Sequence, residues 1–128
     1  MSDAGRRDGG EPEELRAEPV QEVAWAGAAI VVRLAGELDL YNADEVREAL
    51  RGAVDPQPER VVVDLTAVEF LDSTALGVLV EARAKLANRR GFILAAPGLE
   101  PRRALEVAGL DRHFAVHETV EEALAADV

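Results

Sequence analysis

Ser73 is one of two serines in the chain, the other being Ser2 near the N-terminus. It stands in Asp72-Ser73-Thr74, where an apolar run hands over to a helical pattern. A hydroxyl in that place has two uses. Either Asp72 or Ser73 can act as the N-cap, accepting a hydrogen bond from a first-turn amide. Alternatively, Ser73 can accept a phosphoryl group. A helix N-terminus presents unpaired N–H groups and a partial positive charge, so it tolerates a phosphate well. Phosphorylation there would add a charge of about −1.5 to −2 without unfolding anything, and so would switch a surface rather than a fold. Thr74 is a second possible acceptor. The spacing alone does not choose between cap and switch.

Other chemistries find little support. Ser73 has Leu71 and Ala75 where a nucleophile elbow requires glycines, and nothing in the spacing directs a base toward it from His113 or His117. The segment holding those two histidines reads as a strand. It would place them on one side but about 13 Å apart, too far to share a metal. GxGxxG and GxxxxGK[ST] phosphate loops are both missing. Asp64 lies in a buried-looking strand like a receiver-domain phospho-acceptor. The acidic pair and late lysine of such a site are missing, however, because Lys85 is the only lysine and falls mid-helix. Asp64 and Glu69 are therefore expected to make solvent contacts or local hydrogen bonds. With no cysteine, thiolate metal sites and disulfides are excluded.

The elements that must position Ser73 follow from periodicity and punctuation. Val20–Trp25 and Ala29–Ala35 read as two strands joined through Gly27 into a hairpin. Asn42 reads as an N-cap with Glu45 in the capping-box position, and Gly52 and Pro56 bound the helix that follows. Arg60–Leu65 is a continuous apolar run, the mark of a central strand buried on both faces. A polar corner is expected at Thr66 and Ala67. The helix that starts at Asp72-Ser73-Thr74 carries its apolar stripe on Leu76, Leu79, Val80 and Leu86 or Ala87, and ends between Asn88 and Gly91. Phe92–Ala96 is another buried strand. Pro101 fits the first turn of a helix reaching Ala108, stopped by Gly109. Phe114–Val116 is a short last strand, and Thr119 caps a final helix. Strands alternating with helices give an α/β fold with a mostly parallel sheet of four to five strands, an antiparallel hairpin strand at its N-terminal edge and about four helices.

Length and charge bound the rest. At 128 residues the chain holds one domain, taken as residues 19–128 after an acidic tail, expected to be disordered, over 1–18. A net charge of −11 argues against nucleic acid, since phosphate would be repelled. No apolar run is long enough to span a bilayer, and Met1–Asp8 leads into no secretory signal. The expected address is the cytoplasm.

Two segments together resemble a known family. Val61-Val62-Val63-Asp64-Leu65, with Phe70-Leu71-Asp72-Ser73-Thr74-Ala75-Leu76-Gly77-Val78-Leu79, is similar to the signature of the STAS domain. The likeness extends to Leu34-Ala35-Gly36-Glu37-Leu38-Asp39 and to Ala108-Gly109-Leu110, and it spans residues 20 to 126. It is strongest to bacterial anti-sigma factor antagonists. Many members carry glycine where this chain has Ala75.

The resemblance implies a regulatory binding protein, not an enzyme, with no cofactor and no metal. The unphosphorylated form would bind an anti-sigma factor that is itself a GHKL-type serine kinase, freeing a sigma factor. Phosphorylation of Ser73 (or Thr74) would end binding, and a PP2C-type phosphatase would reset the cycle. The partner surface implied is Asp39, Asp72, Ser73 and Thr74, with Gly36, Tyr41, Asn42, Leu76 and Gly77 as neighbours, on a monomer. Two other classes remain open. One is a STAS accessory subunit of a transporter or stress-sensing assembly without a phospho-switch. The other is a small-ligand binder at the Ser73 helix start.

Overall fold

The computed structural model describes residues 18–128. The acidic segment over 1–17, most of the expected tail, lies outside the described residues. Elements follow in the order β1 (Val20–Ala26), β2 (Ala29–Leu38), α1 (Ala43–Val54), β3 (Arg60–Leu71), α2 (Ser73–Lys85), β4 (Phe92–Ala95), α3 (Leu99–Val107), β5 (Ala115–His117) and α4 (Val120–Ala125). A 3-10 turn at Arg89–Gly91 precedes β4. The five strands lie in the order β1-β2-β3-β4-β5. β1 is antiparallel to β2, and every other pairing is parallel.

Burial on both faces fixes β3 at the centre. Val61, Val63 and Leu65 join the large core with Val46 and Leu50 of α1, Leu76 and Leu79 of α2 and Leu105 of α3. Val62 faces the other way, with Ile93 and Ala95, against Ala123 of α4. Three helices thus cover one face of the sheet and α4 covers part of the other. Gly27 takes φ +65 in the turn between β1 and β2, which forms the expected hairpin.

Several boundaries differ from expectation. β3 does not break at Thr66 and Ala67 but runs on to Leu71. Two register irregularities against β2, between Arg33 and Ala35 and between Gly36 and Glu37, absorb the corner as bulges. At the first, the Asp64 carboxylate accepts from the Thr66 amide at 3.0 Å and the Thr66 hydroxyl at 2.6 Å, the local bonding expected of it. β2 likewise extends to Leu38, three residues beyond the expected end. α1 passes through Gly52 to Val54, because Ala53 and Val54 still face the core. α2 stops at Lys85, not at Asn88. Gln57 brackets its end, donating from Nε2 to the Lys85 carbonyl at 2.9 Å and accepting the Ala87 amide on Oε1 at 2.7 Å. β5 includes His117 but not His113, which lies in the preceding turn with its ring edge-on to Phe114.

Candidate functional site

β2 and β3 run parallel and end side by side, with Leu38 paired to Leu71. The chain leaves both strands at the same rim of the sheet, so the loop into α1 and the start of α2 are neighbours. The backbone joins them first: the Asp72 amide donates to the Leu38 carbonyl at 3.1 Å.

Asp72 is the N-cap of α2. One carboxylate oxygen accepts from the Ala75 amide at 2.9 Å, and its carbonyl accepts from Leu76 at 3.0 Å. The other carboxylate oxygen accepts from the Leu40 amide at 3.2 Å, across the gap to the β2–α1 loop. Between cap and switch, the structure therefore gives the cap to Asp72. Ser73 and Thr74 occupy the first two helical positions, both exposed to solvent.

The facing loop is folded by its own side chains. Asp39 accepts from the Tyr41 amide at 3.0 Å. Asn42 stands at the expected N-cap position of α1, its carbonyl accepting from the Val46 amide at 3.3 Å, but its side chain makes no cap bond. Its side chain turns back instead: Oδ1 accepts from the Asp39 amide at 2.9 Å, and Nδ2 donates to the Glu37 carbonyl at 2.9 Å. A tight turn leaving β2 exposes these two backbone groups, and an amide side chain, holding donor and acceptor together, satisfies both.

Of the residues expected on the partner surface, Asp39, Tyr41, Asp72, Ser73, Thr74 and Gly77 are exposed or half-buried at this rim. Gly36, Asn42 and Leu76 are buried. Gly36 serves the β2–β3 bulge with φ +80, a backbone that side chains resist, Asn42 ties the loop, and Leu76 belongs to the core. None of the three exposes a side chain at the rim. His117 ends β5 and His113 lies in the turn before it, two strands from β3 and the Ser73 helix start.

Two residues missed at the sequence level belong to the same rim. They are Leu40, 61 % exposed beside the expected Tyr41 in the loop, and Phe70, three residues before Ser73 and 45 % exposed. The rim that carries Ser73 thus also carries exposed large apolar groups. The available signal was the Leu40-Tyr41 pair itself, two bulky residues in a four-residue connection.

α1 and α2 are tied by an ion pair behind the site. Arg47 donates from Nε to Glu81 at 3.0 Å and also pairs with Asp44. The Arg47 hydrogen bond holds the Glu81 carboxyl below its usual range, against a smaller opposing effect of desolvation. Among the described residues, no helix is long and apolar enough to cross a membrane.

Comparison with known proteins gives a consistent set of relatives. Residues 21–123 match the STAS domain family. The chain is 35% identical over 102 residues to the anti-sigma-F factor antagonist RsfB of Mycobacterium tuberculosis, covering 80% of this chain and 84% of that relative. It is 35% identical over 98 residues to an anti-sigma F factor antagonist of Paenibacillus polymyxa, covering 74% and 83%. Among solved structures, an anti-sigma factor antagonist from Mycobacterium paratuberculosis superposes with a TM-score of 0.76 at 35% identity, covering 81% of this chain and 89% of that one.

Proposed function

The chain belongs to the STAS domain family, and on that premise we propose that it is an anti-sigma factor antagonist switched by phosphorylation of Ser73. The unmodified protein binds its anti-sigma factor through the rim formed by the β2–α1 loop and the start of α2, and so releases a sigma factor in the cytoplasm. The anti-sigma factor is a serine kinase of the GHKL type, and a phosphatase of the PP2C type restores the binding form. It is a regulatory binding protein rather than an enzyme.

One observation carries this reading: Ser73 is exposed in the first turn of α2 while Asp72 already caps that helix. The hydroxyl is therefore not needed for the fold and is open to a kinase. A phosphate there meets the favourable end of the helix dipole, so the domain tolerates it. At an interface the balance reverses. The dianion sits beside Asp72 and opposite Asp39, adding repulsion and desolvation cost for any partner shaped to the unmodified rim. A 100-fold loss of affinity needs only about 2.7 kcal/mol.

The test is intact mass after incubation with ATP and candidate anti-sigma kinases, on wild type and on Ser73→Ala. One added phosphate on wild type alone supports the switch. A phosphate on both proteins would move the acceptor, with Thr74 the first position to examine. No phosphate with any kinase that binds the protein would overturn the switch and favour an accessory subunit of a larger assembly.

A further inference from the structure

We propose that the free edge of β1 is a homodimer interface, in which two copies pair their β1 strands antiparallel about a two-fold axis at Ala24. Among the described residues β1 is an edge strand, bonded to β2 on one side only. Edges of this kind are normally blunted by brevity, charge, proline or a bulge. The opposite edge, β5, follows that rule with three residues. β1 has seven residues, VQEVAWA, with Glu22 its one charge and no proline. Its register irregularity lies between Val20 and Glu22, so Glu22 to Ala26 is a regular ladder.

The apolar residues on this edge are arranged to complement themselves. Val23 and Trp25 are 47 % and 59 % exposed, and they share a face because they are two residues apart. Their partners on β2 are Val32 and Ile30, so that face is the one α1, α2 and α3 pack against. When the strand pairs with its own copy about Ala24, residue 23 lies opposite residue 25 of the other chain, and the reverse. Val23 then meets Trp25 twice, a β-branched residue against an aromatic, the kind of cross-strand pair that stabilises sheets. Glu22 falls opposite Ala26, so no like charges meet. Ala24 faces Ala24, the small residue at the axis. Two five-stranded sheets join into one with α1, α2 and α3 of both copies on a common face. Because the axis reverses strand direction, the two Ser73 rims point to opposite ends of the dimer. Each is then free to hold its own partner. This departs from the monomer that the family resemblance implies, and it stands or falls independently of the Ser73 reading.

The chain has no cysteine and one tryptophan, which makes the test direct. Sedimentation of the full chain over a concentration series should show a monomer–dimer equilibrium, with Trp25 emission shifting to the blue as dimer forms. Val23→Lys and Trp25→Lys should each raise the dimer dissociation constant at least tenfold, with the thermal midpoint unchanged when it is measured at a concentration where wild type is monomeric. Mild oxidation of Ala24→Cys should give a covalent dimer, because directly opposed antiparallel residues have Cα atoms about 4.5 to 5.5 Å apart, within disulfide reach. Gln21→Cys should not cross-link, since the two copies of residue 21 lie about 20 Å apart along the strands in this register. A protein that stays monomeric at every concentration overturns the proposal. So does a dimer indifferent to both lysines, or equal cross-linking at 21 and 24.

Discussion

The Asp72 carboxylate accepts a hydrogen bond from the backbone amide of Leu40, a residue 32 positions earlier in the chain. The same carboxylate caps α2 through Ala75. One side chain therefore fixes the helix that presents Ser73 and also the loop that presents Leu40 and Tyr41. The rim is a single rigid surface assembled from two crossings, not a serine on a helix with a loop nearby. The acidic group next to the candidate phospho-acceptor is committed to the fold.

Asp72→Ala should therefore cost more than an ordinary surface change. Loss of an Asp N-cap is worth about 1–2 kcal/mol, and the Leu40 amide loses its acceptor as well. The thermal midpoint should fall by at least about 4 °C. Asp72→Asn keeps one acceptor oxygen and should fall less. A neutral Asp72→Ala in thermal denaturation would show that the carboxylate does not hold the two segments together.

Asn42→Ala separates two accounts of that residue. A conventional N-cap removed from α1 would fray the helix start. Here the side chain serves the Asp39 amide and the Glu37 carbonyl, and it is buried. Its removal takes one hydrogen bond from each of them and should cost about 1–3 kcal/mol in urea unfolding. Asn42→Asp keeps the acceptor but loses the donor and places a charge in a buried position, so it should not rescue. Asn42→Ser, a competent cap too short to span the turn, should not rescue either. Full rescue by serine would restore the capping account.

These residues also show what the sequence could and could not reveal. The order of strands and helices, the hairpin and the central place of β3 were legible, because periodicity and buried runs record which faces meet a core. Thr119 was read correctly as a cap, its hydroxyl accepting from the Glu122 amide. The N-cap position of Asn42 is legible, but its side-chain partner is not, because a capping pattern specifies a side chain able to bond an amide and not which amide it reaches. The corner at Thr66 was misplaced for a similar reason. Polar residues in a strand signal a break, whereas a bulge with Asp64 bonded to Thr66 keeps the ladder intact. At the site, the hydroxyl and its acidic neighbours were visible as residue types. The exposure of Leu40 and Phe70 was not, since apolar residues in short patterns default to the core.

Acid should weaken the tie between α1 and α2. The Arg47 hydrogen bond depresses the Glu81 pKa in the folded protein. A group depressed on folding stabilises above its unfolded pKa, and that contribution is lost as pH falls through the carboxylate range. The pair is exposed, so the effect is small and screened by salt. Urea midpoints should decline toward acid with a shallower slope in Glu81→Gln than in wild type, and the difference should shrink at high ionic strength. An identical acid slope in the two proteins would remove Glu81 from the account.

The exposed apolar groups at the rim should divide binding from stability. Leu40, Tyr41 and Phe70 contribute little to the core, so Leu40→Ala, Tyr41→Ala and Phe70→Ala should each leave stability within about 0.5 kcal/mol of wild type. Binding is concentrated in a few large buried anchors at most interfaces, with tyrosine prominent among them. If the rim is the partner surface, Tyr41→Ala should cost about 2 kcal/mol, a roughly 30-fold loss of affinity for the anti-sigma factor by calorimetric titration. Val107, on α3, is 84 % exposed and supplies the control, and Val107→Ala should bind as wild type does. The pattern matters more than any single value. Losses at Leu40, Tyr41 and Phe70 with unchanged melting place the partner on the rim. Equal binding by all three variants would move it elsewhere, and phosphorylation of Ser73 would then have to act on the partner through some other part of the domain.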